Sequence, residues 1–278
     1  KANQVNAGGD VTLNVTAGGS IDLESVSASG GDITVNSQGT LVLEQNVTTH
    51  GENLNFNTAL SLPQDTTITT NGGALSFTGA VDGAQVLDLE AGSGAVTLSG
   101  DLGLKTALSN LTIVTSGAVS LAKGHVTQDT QIRSGSLVLT GGASSFNGGT
   151  FEAEAFANVT SVGLGGGLTG SYQYVLSEAT LAALGQFNQV TLGRSDSSAL
   201  VTIGNAVFNS ATLIESPQAG GQMEVDGLVQ VKGPNFVLNT VDQITFSASS
   251  KLQGGTAAVS LTADQMTLKG AACSITGT

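Results

Sequence analysis

The chain has 278 residues, 39 of them glycine and only 4% aromatic, and its formal charge is −13. Its 8 Lys and Arg residues are scattered, so we expect no nucleic-acid binding and no attraction to an anionic membrane, because both need clustered cations. One cysteine, Cys273, excludes an internal disulfide, and no apolar run is long enough for membrane insertion. Because the chain begins at Lys1 without an apolar signal segment, we expect it to be a segment or the mature portion of a longer protein.

Short strands separated by glycine-containing turns recur from residue 6 to about residue 141. Each has the order apolar, small polar, apolar, and the closing apolar residues are about twenty-one positions apart, a period typical of solenoids. The series is Val11-Thr12-Leu13, Ile33-Thr34-Val35, Leu54-Asn55-Phe56, Leu75-Ser76-Phe77 and Val96-Thr97-Leu98. A second series lies between its members: Ile21-Asp22-Leu23, Leu41-Val42-Leu43, Leu87-Asp88-Leu89 and Leu111-Thr112-Ile113. Each period therefore contains at least two strands.

The alternation predicts that stacked coils bury a continuous apolar column. A single unit cannot bury its apolar face, whereas Leu13, Val35, Phe56, Phe77 and Leu98 would lie over one another if the coils stack. The fold prediction is therefore an all-β parallel β-helix, or β-solenoid, with about 20–22 residues per coil and roughly thirteen coils. We expect the turn glycines to supply left-handed backbone positions.

The pattern loosens between residues 143 and 188 and then resumes. Ser177 as N-cap, good helix formers and Gly185 as terminator predict one short helix near residues 177–185. From Val190-Thr191-Leu192 to Met266-Thr267-Leu268 the strand triplets return. We predict a regular solenoid over 1–142, an irregular segment over 143–188 and a second solenoid over 189–278, and leave open whether the two solenoids are continuous.

Two longer phrases point to a family. The segments Phe77–Gly83 (FTGAVDG) and Leu87–Leu98 (LDLEAGSGAVTL) resemble repeats of large filamentous-haemagglutinin-like surface proteins. The segment Leu181–Asp196 (LAALGQFNQVTLGRSD) resembles a run found in giant repetitive bacterial exoproteins. The resemblance implies a right-handed parallel β-helix in an adhesin-like stalk that is secreted or on the bacterial cell surface.

Carboxylates are the first candidates for chemistry, because many β-helices cleave acidic glycans with clustered acids. The acids are predicted to point outward and mostly lack a basic neighbour: Asp22, Glu24, Glu44, Asp88, Glu90, Glu224 and Asp226. We predict a solvated surface, no catalytic residues and no enzyme activity. The turns Gly8-Gly9-Asp10 and Gly30-Gly31-Asp32 lack the rest of the calcium-binding nonapeptide motif, so no cofactor is expected, with sporadic calcium left open.

The remaining polar candidates favour structural roles. His50 and His125 are predicted to lie in turns, without a second ligand at metal spacing, and Cys273 is interpreted as a small packing residue. We interpret Gly193-Arg194-Ser195-Asp196 as a turn rather than a cell-attachment motif. Glycosylation acceptor triplets begin at Asn14, Asn46, Asn110 and Asn158. An outward threonine lattice for ice is not predicted, because the outward position runs Thr12, Asp22, Thr34, Val42, Asn55, Ser76 and Asp88.

These observations predict a structural or adhesive stalk segment, extracellular or on a bacterial cell surface, that serves as spacer and interaction surface. The expected partners are a host or matrix surface, or other copies of the chain by end-to-end or lateral association. A self-assembling fibre subunit that stacks head to tail is the alternative, because open solenoid ends expose unpaired strand edges. A polysaccharide-active β-helix enzyme is the less favoured alternative.

Overall fold

The computed structural model describes residues 2–15, 23–28 and 30–277. The protein is all-β, with 56% of residues in strands and 2% in helix, and its parallel sheets form a β-solenoid of about 11 turns. The predicted fold class is therefore confirmed. The chain divides into two compact units, the first Lys1–Gly135 with Leu139–Gly141 and the second Ser136–Val138 with Gly142–Thr278.

The described residues of the first unit form three parallel sheets and one strand pair. Its strands are β1 (Ala2–Ala7), β2 (Val11–Val15), β3 (Leu23–Ala28), β4 (Ile33–Ser37), β5 (Leu41–Val42), β6 (Val47–Thr48), β7 (Leu54–Asn57), β8 (Leu60–Ser61), β9 (Thr66–Thr69), β10 (Leu75–Phe77), β11 (Val81–Asp82), β12 (Val86–Gly92), β13 (Val96–Leu98), β14 (Asn110–Thr115), β15 (Ala118–Leu121) and β16 (Gly124–Ser134). Sheet I is β2-β4-β7-β10-β13-β15, sheet II is β6-β9-β12-β14-β16 and sheet III is β5-β8-β11, while β1 pairs with β3. β17 (Ser136–Leu139) contains the division between the units.

The predicted apolar column is present on the inner face of sheet I. Leu13 pairs in register with Val35, Val35 with Phe56, Phe56 with Phe77 and Phe77 with Leu98. The rings of Phe56 and Phe77 stack with centroids 5.2 Å apart and planes 10° apart, and both side chains are fully buried. Each turn thus covers the apolar face of its neighbour, which no single turn can do alone.

The turns that begin with β4, β7 and β10 each have three strands, because the second predicted series belongs to two different sheets. Leu41 lies on β5 of sheet III and pairs with Leu60, whereas Leu87 lies on β12 of sheet II and pairs with Leu111. Strands of only two residues, such as β8, are too short to show alternation in the sequence. The sequence pattern therefore assigned strands of two different sheets to one series.

Buried threonines fix one corner of the first unit. The Thr49 hydroxyl donates to the backbone oxygen of Thr70 at 3.2 Å, and that of Thr70 donates to the backbone oxygen of Gly73. The Thr115 hydroxyl likewise bonds the backbone oxygen of Gly94, and all three threonine side chains are fully buried. These bonds satisfy carbonyl groups that the turns remove from water.

Adjacent glycines in the turns serve two different purposes. Gly72 has φ +118°, in the left-handed region that favours glycine, as predicted. Gly73 has no such φ, but a Cβ there would lie 2.0 Å from the backbone oxygen of Glu52 in the preceding turn. At Gly94 a Cβ would lie 1.9 Å from the backbone oxygen of Gly73. The prediction that turn glycines supply left-handed positions is right for Gly72 and wrong for Gly73 and Gly94, which allow neighbouring backbones to approach.

The second unit also contains three parallel sheets, with one helix. Its elements are β18 (Phe146–Ala155), β19 (Ser161–Leu164), β20 (Tyr174–Leu176), α1 (Glu178–Ala183), β21 (Leu184–Gly193), β22 (Leu200–Ile203), β23 (Ala206–Phe208), β24 (Thr212–Ser216), β25 (Gln222–Val225), β26 (Leu228–Val231), β27 (Asn235–Thr240), β28 (Gln243–Phe246), β29 (Lys251–Gly255), β30 (Ala258–Thr262), β31 (Gln265–Leu268) and β32 (Ser274–Gly277). Sheet IV is β18-β21-β24-β27-β30, sheet V is β20-β19-β22-β25-β28-β31 and sheet VI is β23-β26-β29-β32.

One turn of the second unit is much longer than the others. Phe151 on β18 pairs with Val190 on β21, a step of 39 residues, whereas Val190 pairs with Thr212 after a step of 22. The additional residues include β20 and the predicted helix, which begins after Ser177 as predicted. Its C-cap is Leu184 in extended backbone rather than Gly185. This long turn is one reason that the chain has about 11 turns instead of the predicted thirteen.

Candidate functional site

A shallow cleft at a turn of the first unit brings together two of the candidates from the sequence, the Gly30-Gly31-Asp32 turn and His50. Its volume is about 370 Å³, and its lining is Gly30, Gly31, Asp32, His50, Gly51, Glu52 and Asn53. Asp32 Oδ1 accepts a hydrogen bond from Asn53 Nδ2 at 2.9 Å, and the His50 backbone N–H donates to Glu52 Oε2 at 2.6 Å. The polar groups of the cleft therefore tie neighbouring turns and loop residues together.

The Asp10 turn is joined to the same cleft. Asp10 Oδ1 accepts the backbone N–H of Asp32 at 3.0 Å, and Asn53 Oδ1 accepts the backbone N–H of Ala74 at 2.7 Å. Among the residues that the structure describes, no three His, Cys, Asp or Glu side chains come together as metal ligands would. The two Asp-containing turns thus act as hydrogen-bonding corners between successive coils.

The predicted outward carboxylates lie at exposed or half-buried positions where their side chains are described. These are Glu44, Asp88, Glu90, Glu224 and Asp226, whereas Asp22 and the side chain of Glu24 lie outside the described residues. Asp88 stands between Thr67 and Thr112 on sheet II. Glu224 Oε1 accepts the Ser247 hydroxyl at 2.9 Å and lies 3.5 Å from Lys269 Nζ.

Arg194 forms a corner clamp in the second unit. Its Nε and Nη2 bind the two carboxylate oxygens of Asp196, each at 2.7 Å, and its Nη1 donates to the backbone oxygens of Ala155 at 3.0 Å and Phe156 at 3.3 Å. The residue is 8% exposed. The hydrogen bond to Asp196 raises the pKa of the guanidinium. This geometry supports the predicted turn and leaves little of the guanidinium for a partner.

A partly buried acid lies one strand away on sheet IV. Glu215 on β24 pairs in register with Gly193 on β21. Burial raises the pKa of the Glu215 carboxyl above its ordinary value, and the negative charge of Glu152 on β18 adds to the shift. Both effects favour the neutral acid, which makes Glu215 a pH-sensitive position of this surface.

Hydrogen-bonded asparagines extend along the outside of sheet I. Asn57 Nδ2 donates to Asn36 Oδ1 at 3.2 Å, and Asn36 Nδ2 donates to Asn14 Oδ1 at 3.0 Å. Asn14, one of the glycosylation acceptors, is therefore also the last acceptor of this amide ladder. His125 is exposed on strand β16 rather than in a turn as predicted, and Cys273 is half-buried with a free thiol.

The outer face of sheet I differs from the outward position predicted from the sequence. Its central column consists of register partners Thr12, Thr34, Asn55, Ser76, Thr97 and Ser120. Val42 and Asp88, which made the predicted position irregular, lie on sheets III and II, and Asp22 is outside the described residues. The column is therefore uncharged along its whole length. We call it the neutral face.

Apolar side chains are exposed on the edge strands β31 and β32 of the second unit. Met266 is 50% exposed and Leu268 is 59% exposed, although their register partners Ile244 and Phe246 on β28 are fully buried. Ile275 on β32 is 41% exposed over the buried Leu252. These positions continue the inner columns without a further strand to cover them in the described structure.

The only helix of the described residues has six residues, so none is long and apolar enough to cross a membrane. The chain matches no known protein family, no curated protein and no solved structure.

Proposed function

We propose that this chain is a structural and adhesive segment of a secreted or cell-surface bacterial protein, used as a spacer and as an interaction surface. The observation that supports it most is the in-register stacking of successive turns, as in the column from Val35 through Phe56 and Phe77 to Leu98. Such a fold gains length by adding turns, each of which needs only its neighbours. The resemblance to filamentous-haemagglutinin-like repeats supports the same function.

The polar outer surface fits an exposed spacer. Sheet I presents Thr, Asn and Ser outward, and the buried Thr49 and Thr70 satisfy the turn carbonyls without charged groups. The net charge of −13 opposes non-specific aggregation of a strand-rich chain. These features describe a surface that functions by its extent rather than by one pocket.

Removal of whole turns tests this proposal. Residues 54–74 and 75–95 are each one turn of 21 residues, since Asn53 and Ala74 occupy equivalent positions 21 apart. We expect each single deletion to leave a cooperatively folded chain and to lower adhesion to matrix-coated plates only in part. Deletion of residues 85–95 is the control, because it interrupts a turn and should unfold the unit.

Two results would contradict the spacer proposal. One is complete loss of adhesion on deletion of one particular turn with folding retained, which would indicate a local site. The other is an absence of adhesion by the intact chain to every matrix coating.

A second function, self-association through the exposed strand edge, is favoured by Met266, Leu268 and Ile275. Exposed strand edges with apolar side chains promote pairing with another chain. We expect sedimentation velocity to show concentration-dependent association that Leu268→Asp abolishes. Leu104→Asp is the matched control, because Leu104 is likewise an exposed leucine, at 48%, but belongs to the first unit and not to β31 or β32. A strictly monomeric wild-type chain, or equal effects of the two variants, would exclude this function.

A further inference from the structure

The neutral face on sheet I is a long outward column of uncharged polar side chains. Its central column contains no charged residue in a chain that carries 29 of them, 21 acidic and 8 basic. The neighbouring sheet II presents Asp88 and Glu90 outward at the equivalent strand positions. An anionic polymer would find no cation on the neutral face, and a cationic one would find no carboxylate in its central column.

The dimensions of the face favour a narrow ligand. Strands β10 and β13 have only three residues each, so the flat part is about 7 Å wide, the distance between alternate side chains of one strand. Six strands at about 4.8 Å spacing give a length of about 24 Å. The area is on the order of 200 Å², far below the roughly 800 Å² per partner that a stable protein dimer buries. A second folded copy is therefore a poor occupant, whereas a single extended polymer strand fits.

The polar groups of the face suit a ligand rich in hydroxyl groups. Threonine and serine hydroxyls both donate and accept hydrogen bonds, and they occupy five of the six column positions, with Asn55 at the sixth. Beside the column, the Asn14–Asn36–Asn57 ladder holds its amides through side-chain hydrogen bonds. Each ladder amide still has hydrogen-bonding capacity directed outward, and its orientation is fixed before a ligand arrives, which reduces the entropy lost on binding.

We propose that the neutral face binds a single strand of an uncharged polysaccharide, which lies along the column and across the strands. This supplies a partner for the interaction surface proposed above and rests on that function. Without aromatic side chains on the face, stacking on sugar rings contributes nothing, so the affinity of one chain for a short oligosaccharide is weak. Binding becomes measurable on a dense polymer, where many contacts act together.

The test is retention of the purified chain on insoluble uncharged polysaccharides, with cellulose, chitin and starch as probes. The double variant Thr34→Lys with Ser76→Lys places two long, charged side chains on the neutral face, where they should block a ligand. Thr67→Lys with Thr112→Lys is the matched control, because both threonines flank Asp88 at equivalent outward positions on sheet II and the added charge is the same. Circular dichroism and thermal unfolding establish that both variants fold.

We expect the wild-type chain and the sheet II variant to be retained on at least one of the three probes, with retention reduced at least tenfold for the neutral-face variant. Equal loss in both variants, or no retention of the wild type on any probe, would overturn the proposal. Retention only on the acidic polymer alginate would also overturn it. The whole-turn deletions described above test the spacer function separately, since they require only folding and adhesion to matrix.

Discussion

The regular turns of the first unit and the long turn of the second unit close their corners in different ways. From β4 through β7 and β10 to β13 in the first unit the register step is 21 residues, and small groups such as Thr70 and Gly94 fit each corner against the next. In the second unit a step of 39 residues is closed by the Arg194 clamp on the backbone of Ala155 and Phe156. A constant repeat needs only steric fit and backbone pairing, whereas an excursion needs a specific polar clamp to return the chain to register.

The largest expected effect lies in the regular column. Phe56→Ala removes a fully buried ring that stacks on Phe77 and should lower the free energy of unfolding by about 3–5 kcal/mol. Urea denaturation measures the change. Leu104→Ala, at a 48% exposed position, is the control and should change stability by less than about 1 kcal/mol. Similar effects of the two substitutions would mean that the column is not a packed core.

A methyl group added at a corner tests whether the regular turns depend on a close steric fit between neighbouring backbones. Gly94→Ala should destabilise the first unit by about 3 kcal/mol, because the new Cβ would meet the Gly73 backbone oxygen, which cannot move without its turn. Gly8→Ala is the matched control, since a Cβ there has nothing within 4 Å. Thermal unfolding of both variants measures the difference, and an unchanged midpoint for Gly94→Ala would contradict the close approach of the turns.

Removal of the Arg194 side chain tests whether the long turn depends on the polar clamp. Arg194→Met should cost about 2 kcal/mol, because it removes the guanidinium hydrogen bonds to the backbone oxygens of Ala155 and Phe156. Hydrogen exchange should show faster exchange in residues 156–193 than in sheet I. Lys269→Met is the control, because its 3.5 Å contact with Glu224 is exposed and such pairs contribute little. Uniform acceleration across both units would contradict a local clamp.

The smallest effect concerns pH. The pKa of Glu215 is raised in the folded state, so stability from this group is present at acid pH and is lost as the pH rises through the folded-state pKa. Glu215→Gln should therefore be more stable than the wild type at pH 7 and equally stable near pH 3. Urea denaturation at both pH values measures this, and a gain of the same size at both would contradict burial of a charged carboxylate.

The sequence was sufficient to predict the parts of the fold that depend on a constant repeat. Leu13, Val35 and Phe56 recur at nearly equal spacing, so the repeat period was enough to predict their alignment. Ser177 was enough to predict the start of the helix, because serine is a favoured N-cap residue. The separation of sheets II and III was missed, because β5 and β8 have two residues each. A longer strand would have shown its own alternation.

The corners and the neutral face were harder to predict. Thr49, Thr70 and Thr115 each precede a glycine by two positions, and this Thr-x-Gly recurrence is a signal that could have located the buried corner. Arg194 carries no such signal, because its carbonyl partners lie 38 and 39 residues earlier. The neutral face could be recognised only from the strand pairing, which places Val42 and Asp88 on other sheets.

Distances along one outward column test the stacking of turns most directly. Nitroxide labels placed on Thr12 together with Ser76, Thr97 or Ser120, in a Cys273→Ser background, span three, four or five strand spacings of sheet I. Double electron–electron resonance should give distances that rise in equal steps of about 5 Å, near 14, 19 and 24 Å before allowance for the label arms. Unequal steps, or distances that do not increase along the series, would contradict the in-register solenoid.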